Sequence, residues 1–175
     1  CGSSVTSAEA LLTVNRTPEI EKQPRDTVIC VGDGAKFAVV AKGTDLTYKW
    51  QVNKGTGFND VENDANFSGK DQAELTIVNA PGSFNNYVFR VMVGGLCGSP
   101  VYSNFVTLKV EVAPVVTLNP VNKAMCDGSG LISFSANGAG SVDSLRWQVN
   151  AGSGWTDIYD NEIYSGTSSQ QLTVL

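Results

Sequence analysis

Residues 50–61 read WQVNKGTGFNDV, and 97 positions later residues 147–158 read WQVNAGSGWTDI. The match continues in register to FSG at residues 67–69 and YSG at residues 164–166. A strand carrying a Trp, a glycine-rich hairpin and a second strand are components of a β-sandwich module of about 100 residues. The chain is therefore predicted to be all-β, a tandem array of such sandwiches.

Strand signals follow one another through the complete module, and no helical periodicity interrupts them. Glycine-rich turns separate short runs of apolar and β-branched residues. The predicted strands are residues 20–22, 27–31, 35–41, 46–53, 57–61, 74–79, 87–93 and 101–112. Seven or eight short strands with frequent turns are typical of a two-sheet sandwich.

The repeat also predicts the domain boundaries. Residues 17–112 are expected to form one complete module, and residues 113–175 a module that lacks its last two strands. Residues 1–14 match residues 97–110 at seven of 14 positions, so residues 1–16 are predicted to be the last strand of a preceding module. These fragments indicate a window from a longer array. Pro18 and Pro114 stiffen the short connectors, which predicts modules stacked end to end.

Composition narrows the range of partners. The 175 residues carry a net charge of −5 with a pI near 4.6, which argues against binding the phosphates of nucleic acid. The same charge disfavours attachment to anionic lipid. No apolar run is long enough to span a bilayer, so direct membrane insertion is not expected.

The residues of catalytic and metal sites are missing or better explained in other ways. The chain contains no histidine, which excludes a Ser-His-Asp triad within it. Asp60 and Asp157 recur after the hairpin, where solvation of a turn explains them better than acid–base chemistry. A calcium site built from Asp60, Glu62 and Asp64 would lack the closing bidentate Glu. The prediction is a non-enzyme without metal or cofactor.

A wider set of short motifs accompanies the repeat. They are CxG at 30–32, AxG at 41–43, LTYxWQ at 46–51, FSG at 67–69, LTI at 75–77, YxFR at 87–90, CG at 97–98 and SN at 103–104. This pattern resembles the immunoglobulin-like modules of large Bacteroidota surface adhesins, including the gliding-motility adhesins exported by the type IX secretion system.

The resemblance implies a non-catalytic stalk or filament segment of a secreted adhesin on the bacterial cell surface. Its implied partners are neighbouring modules of the same chain, surface polysaccharide or other cell-surface proteins. Two alternatives stay open at this point. One is a carbohydrate- or protein-binding module, and the other is an accessory region of a secreted hydrolase.

Departures from antibody-type domains predict the core. In those domains a disulfide joins the two sheets beside a buried Trp. Here Val39 stands in the place of the first cysteine, and Val91 (or Phe89, in another alignment) in the place of the second. We expect Trp50 to be buried against these aliphatic side chains, with Trp147 as its counterpart in the next module.

The four cysteines follow the repeat. Cys1 aligns with Cys97, and Cys126 aligns with Cys30, so each complete module owns one cysteine of each kind. A metal site would need further ligands, and a catalytic thiol would need a base, which leaves a structural disulfide Cys30–Cys97 as the prediction. Such a bond implies an oxidising compartment. Cys1 and Cys126 are expected to be unpaired in this chain.

Two pairs of positions are candidate surface sites. Phe58 and Trp155 follow the hairpin, where an aromatic ring either packs beneath the turn or stacks on a sugar. Thr27 and Ser144 lie in Asp-Ser/Thr-apolar triplets, which the resemblance to Bacteroidota proteins makes candidates for O-glycosylation.

Overall fold

Short strands joined by tight turns make up most of the structure, a computed structural model that describes residues 2–126 and 130–175. The chain divides into unit 1 (Cys1–Val110) and unit 2 (Glu111–Leu175). The first strands are β1 (Glu19–Lys22), β2 (Thr27–Cys30), β3 (Ala35–Ala38), β4 (Val40–Lys42), β5 (Thr47–Asn53) and β6 (Phe58–Asp60). They are followed by β7 (Phe67–Ser68), β8 (Glu74–Ile77), β9 (Tyr87–Gly94), β10 (Val101–Tyr102) and β11 (Val106–Glu111). The later strands are β12 (Val115–Leu118), β13 (Ile132–Ser135), β14 (Asn137–Ala139), β15 (Gln148–Asn150), β16 (Trp155–Asp157), β17 (Tyr164–Ser165) and β18 (Gln171–Val174).

Unit 1 is a sandwich of two β-layers. The larger sheet has the strand order β2-β11-β9-β5-β6, and β10 also pairs with β9. The opposite layer contains the sheet β3-β8-β7 and the pair β1-β4. The predicted strand at 35–41 is split between β3 and β4, because Val39 leaves the strand pairing. Its N–H donates instead to the carbonyl of Ala73 at 3.0 Å, a usual length for such a bond. The order of the strands is that of an immunoglobulin-like sandwich, as predicted.

Trp50 occupies the centre of the unit 1 core. Its side chain is fully buried, and Val39 and Val91 are buried in the same cluster, with Val91 directly opposite Trp50 in the β5–β9 ladder. The indole Nε1 donates to the carbonyl of Gln72 at 2.9 Å, so the one polar atom of the ring is paired. The hydrophobic layer is therefore closed without a disulfide.

Unit 2 repeats this local arrangement around Trp147. The indole Nε1 donates to the carbonyl of Ser169 at 2.8 Å, which is the bond that Trp50 makes in unit 1. Trp147 is only half-buried, however, and lines a cleft of about 330 Å³ with Phe134, Ile158 and Leu172. The prediction of a buried core Trp is thus wrong for unit 2, because its described residues include no counterparts of β9 and β11, the strands that cover Trp50.

The β5–β6 hairpin is stabilised by one side chain. The Oδ1 atom of Asn53 accepts hydrogen bonds from the N–H groups of Gly55 at 2.8 Å and Gly57 at 3.0 Å. Both glycines have positive φ, 107° and 103°, which L-residues rarely adopt. Asn150 holds the matching turn of unit 2 in the same way. A Cβ added at Gly55 or Gly57 would meet no atom within 4 Å, so backbone conformation rather than space requires glycine here.

The N-terminal segment, predicted to be the last strand of a preceding module, forms no strand by itself. Residues 2–18 form no strand, and Val5, Leu11, Leu12 and Val14 are exposed. A strand needs a neighbour to satisfy its backbone groups. Among the described residues, only Arg16 of this segment has one, since its N–H donates to the Thr44 hydroxyl and its carbonyl accepts the Thr44 N–H. Cys1 lies outside the described residues.

The predicted Cys30–Cys97 disulfide is absent, since both residues are free thiols. Cys30 ends β2 beside a turn whose Gly32 N–H donates to the carbonyl of Ala80. Cys97 follows Leu96, whose N–H donates to the carbonyl of Thr44 at the other end of the sandwich. The seven steps between the first and last Cα atoms of the eight-residue strand β9 separate these ends by about 23 Å, at roughly 3.3 Å per step, whereas disulfide-bonded Cα atoms lie within about 7 Å.

We therefore expect Cys30 and Cys97 to be alkylated independently in the native protein, with Cys30, the more exposed, reacting faster. Peptide mapping after a timed reaction with iodoacetamide measures both rates. Recovery of a Cys30–Cys97 cross-linked peptide from one chain after mild oxidation would contradict this topology.

The burial of Trp50 predicts its contribution to stability. Trp50→Ala should lower the free energy of unfolding by about 3–5 kcal/mol, because a large cavity opens between the sheets. Leu96→Ala, which shortens an exposed side chain, should change it by less than about 0.5 kcal/mol. Urea denaturation followed by circular dichroism compares the two variants, and equal effects would exclude the central role of Trp50.

Candidate functional site

The solvent side of the larger sheet in unit 1 carries the most organised group of exposed side chains. We call it the outer face, and it consists of Lys49, Gln51, Phe58, Asp60, Arg90, Tyr102 and Phe105. Successive residues of a strand point to opposite sides of the sheet. Because Trp50, Phe89 and Val91 point into the core, their neighbours Gln51 and Arg90 project outward.

A row of polar groups crosses this face from β6 to β9. Gln51 lies opposite both Asp60 and Arg90 in the strand ladders. The Nε2 of Gln51 donates to Oδ1 of Asp60, and Lys49 Nζ donates to Oδ2, each at 2.9 Å. The Nε of Arg90 donates to Oε1 of Gln51 at 2.8 Å. The hydrogen bond from Gln51 and the one from Lys49, in that order, lower the pKa of Asp60, which stabilises its ionised form.

Aromatic rings flank the guanidinium of Arg90. Its central carbon lies 4.2 Å from the centroid of the Phe58 ring and 4.6 Å from that of Tyr102. Phe58 pairs with Asn53, which lies opposite Val88 of β9, and Tyr102 pairs with Met92 of β9. The two rings therefore approach Arg90 from opposite directions along β9.

Phe105 completes this group by stacking on Phe58, with 5.1 Å between ring centroids. Phe105 is 62% exposed and Tyr102 is 52% exposed. Cation–π and ring contacts therefore hold Arg90 and Phe58 in place, while Phe105 and Tyr102 present apolar surface to solvent.

Part of the outer face recurs in unit 2. Gln148 Nε2 donates to Oδ1 of Asp157 at 2.9 Å, as Gln51 does to Asp60. Trp155, in the position of Phe58, is 69% exposed. The positions that match Arg90, Tyr102 and Phe105 fall beyond Leu175, so the covered state of Phe58 has no counterpart in the described part of unit 2.

The structure assigns different surroundings to the remaining predicted sites. Phe58 does not pack beneath the hairpin; it is half-buried within the outer face. Thr27 is half-buried and its hydroxyl donates to the carbonyl of Arg25 at 3.4 Å, whereas Ser144 is exposed. Glu62 pairs with Lys70 at the edge of the sheet. No cluster of three or more acidic, Cys or His side chains suited to a metal occurs in residues 2–126 and 130–175.

Sequence reasoning found Phe58 but missed Arg90, Tyr102 and Phe105 as its neighbours. The alternation of YVFR at residues 87–90 already places Arg90 opposite the buried Phe89. The pairing of Tyr102 and Phe105 with it depends on the separation of β10 and β11, which the sequence does not reveal. In the described residues, no helix has the length and apolar composition needed to cross a bilayer.

Comparison with known proteins supports the fold and gives one relative of known activity. No protein-family model matches the chain. Endoglucanase C of Cellulomonas fimi is 32% identical over 155 residues, a match that spans 87% of this chain and 13% of that protein.

Solved structures with the same fold are tandem immunoglobulin domains. An I-band fragment of titin matches with a TM-score of 0.65 and 13% identity, covering 90% of this chain and 55% of that one. Domains 1–5 of Sidekick-1 match with a TM-score of 0.69 and 14% identity, covering 93% of this chain and 33% of that one. The chain is therefore an all-β protein of tandem immunoglobulin-like domains, as the sequence predicted.

The lowered pKa of Asp60 predicts a pH dependence. A carboxyl group whose pKa is lower in the folded state than in the unfolded state stabilises the fold above its unfolded pKa of about 3.9. That contribution is lost as the pH falls through the folded pKa. Asp60→Asn keeps the size and an acceptor oxygen but carries no charge, so its unfolding free energy should decline less between neutral and acidic pH than that of the wild type. Urea denaturation at a series of pH values tests this, and parallel curves would contradict it.

Proposed function

We propose that the chain is a non-catalytic stalk segment of a larger exported protein, in which each immunoglobulin-like module carries tension along the polypeptide. The observation that carries this proposal is the pairing of the last strand of unit 1, β11, with β2, the strand that follows β1. β2 and β11 are neighbours in the larger sheet, so segments close to the two ends of the module lie side by side.

The direction of these strands determines how a pull would load them. β2 ends at Cys30, next to the turn that contacts Ala80. β11 runs antiparallel to β9 and ends at the same side, where Asn86 N–H donates to the carbonyl of Leu108. β2 and β11 therefore run in the same direction. Pulling the two ends of the module apart slides one strand along the other and loads the contacts between them together, whereas peeling would break them one at a time.

Two side chains of the segment that precedes β2 reinforce this contact. Asp26 Oδ1 accepts the N–H of Thr107 at 2.7 Å, and Gln23 Oε1 accepts the N–H of Asn104 at 2.8 Å. Asp26 carries a charge, and a charged acceptor makes a stronger hydrogen bond than a neutral one. These bonds connect residues 81 positions apart in sequence and resist sliding of the terminal strands.

The resemblance to Bacteroidota surface adhesins supports a stalk in an adhesin at the outer cell surface, with neighbouring modules as its immediate partners. Adhesion, gliding motility, type IX secretion and glycans on Thr27 and Ser144 belong to this same proposal. The tandem immunoglobulin domains of the similar structures are consistent with neighbours in one chain.

A second candidate is an accessory region of a secreted polysaccharide hydrolase. The match to Endoglucanase C, a protein named for cleaving glucan chains, favours it. In that setting the modules would hold a catalytic domain at a distance from its polymeric substrate. In an adhesin and in a hydrolase the module would carry the same tension, and the two settings would differ in the domain attached to the stalk.

Single-molecule pulling on the whole chain tests the proposal. Asp26→Ala should lower the force at which unit 1 unfolds, because the anchor of Thr107 is lost. Unfolding of unit 1 is recognised by a length gain of about 30 nm, since an extended chain spans roughly 3.5 Å per residue.

The matched control is Asp64→Ala. Asp64 Oδ1 accepts the N–H groups of Asn66 and Phe67 between β6 and β7, away from the terminal strands. This variant should lower chemical stability while leaving the unfolding force close to that of the wild type. An unchanged force in Asp26→Ala, or an equal loss in both variants, would refute a load-bearing contact between β2 and β11.

A further inference from the structure

The outer face of unit 1 carries one positive charge without a matching negative charge. The ion pairs among the described residues join Lys36 to Glu74, Lys42 to Glu21, Lys49 to Asp60 and Lys70 to Glu62. Arg90 takes part in none of them. On the outer face, Asp60 therefore offsets the charge of Lys49, and the guanidinium of Arg90 is the group that remains to attract an anion.

The surroundings of Arg90 leave hydrogen-bond donors available. Its Nε is used by Gln51, but its two terminal amino groups have no acceptor within residues 2–126 and 130–175. Contacts with Phe58 and Tyr102 restrict the rotation of the guanidinium and cover its flat surfaces. A carboxylate is the anion that two adjacent guanidinium N–H groups bind in a planar, bidentate manner.

The apolar part of the same face lies directly beside this charge. Phe105 and Tyr102 are both more than half exposed, and Phe105 is backed by its stack on Phe58. A pyranose ring presents C–H groups that pack on an aromatic ring, while its hydroxyls need polar partners. Lys49, Gln51 and Asp60 supply such partners within the same row.

We propose that the outer face binds uronic acid units of an acidic polysaccharide. Arg90 receives the sugar carboxylate through its terminal amino groups, and Phe105 supports the sugar ring. The face lies on the solvent side of β5, β6, β9 and β10, which suits a linear chain better than a buried small molecule. This inference goes beyond the stalk function and does not depend on it.

Charge distinguishes an acidic polysaccharide from other polymeric ligands of this face. A neutral glucan would leave the Arg90 charge unmatched, whereas one carboxylate per sugar unit pairs with it directly. The polar pair Gln148–Asp157 and the exposed Trp155 occupy matching positions in unit 2. Weak sites repeated along an array would reinforce one another on a polymeric ligand.

Isothermal titration of the whole chain with a hexamer of galacturonic acid tests the proposal, with the fully methyl-esterified hexamer as the matched ligand. The ester keeps every ring and removes every charge. We expect the acid to bind and the ester to bind at least about tenfold more weakly, as loss of a charge-assisted bidentate pair predicts.

Variants locate the site. Arg90→Gln should weaken binding of the acid by about tenfold or more, and Phe105→Ala by several-fold, roughly the effect of losing one aromatic contact. Arg25→Gln, which removes an exposed arginine of the same unit outside the outer face, should leave binding unchanged.

Folding of each variant is checked by thermal denaturation. Chemical-shift changes in the wild type identify the contact residues independently of any substitution, and they should centre on Arg90, Tyr102 and Phe105. No binding at millimolar hexamer, equal binding of acid and ester, equal losses in Arg90→Gln and Arg25→Gln, or shifts elsewhere on the unit would each overturn the assignment. A loss of the unfolding-force difference between Asp26→Ala and Asp64→Ala would bear only on the stalk function.

Discussion

The position of one tryptophan relative to the opposite sheet determines how each module is assembled. Trp50 belongs to β5, yet its indole donates to Gln72 and its backbone N–H donates to Lys70, both in the segment that joins β7 to β8. Its carbonyl accepts the N–H of Val61 beyond the hairpin. Trp147 makes the same three bonds, to Ser169, Thr167 and Ile158. Because a buried indole N–H must be paired, this geometry fixes the distance and the register between the two sheets.

Much of this arrangement could be read from the sequence. Strand alternation predicted most strands of unit 1 to within a residue or two, because this signal is local, and the repeat predicted a tandem immunoglobulin-like fold. Failures came where the outcome depends on partners distant in sequence. The cysteine pairing was wrong because the repeat shows how many cysteines a module owns but not at which end each lies. The exposure of Trp147 depends on which neighbouring strands surround it.

The outer face was predictable only in part, for a related reason. Burial of Phe89 and Val91 determines the side on which Arg90 lies, and the hairpin places Phe58 on that side. The contact between them requires the diagonal relation of β6 and β9 across β5 and the displacement of Phe105 between β10 and β11. Such contacts depend on three or four strands at once, so the residue pattern of a single strand does not predict them. The contact between β2 and β11 and the outer face involve different groups, so the two proposed roles of the module do not compete for the same residues.

The hairpin held by Asn53 has a consequence for how an array of such modules diversifies. Its turn is stabilised from within by one amide oxygen, and a Cβ added at either of its glycines would meet no other atom within 4 Å. Lys54 and Thr56 in one module are Ala151 and Ser153 in the other, on the same backbone. The turn therefore keeps its backbone with different side chains at these two positions. Each copy can acquire its own surface chemistry there, so that an array of nearly identical folds presents a series of distinct tips to its surroundings.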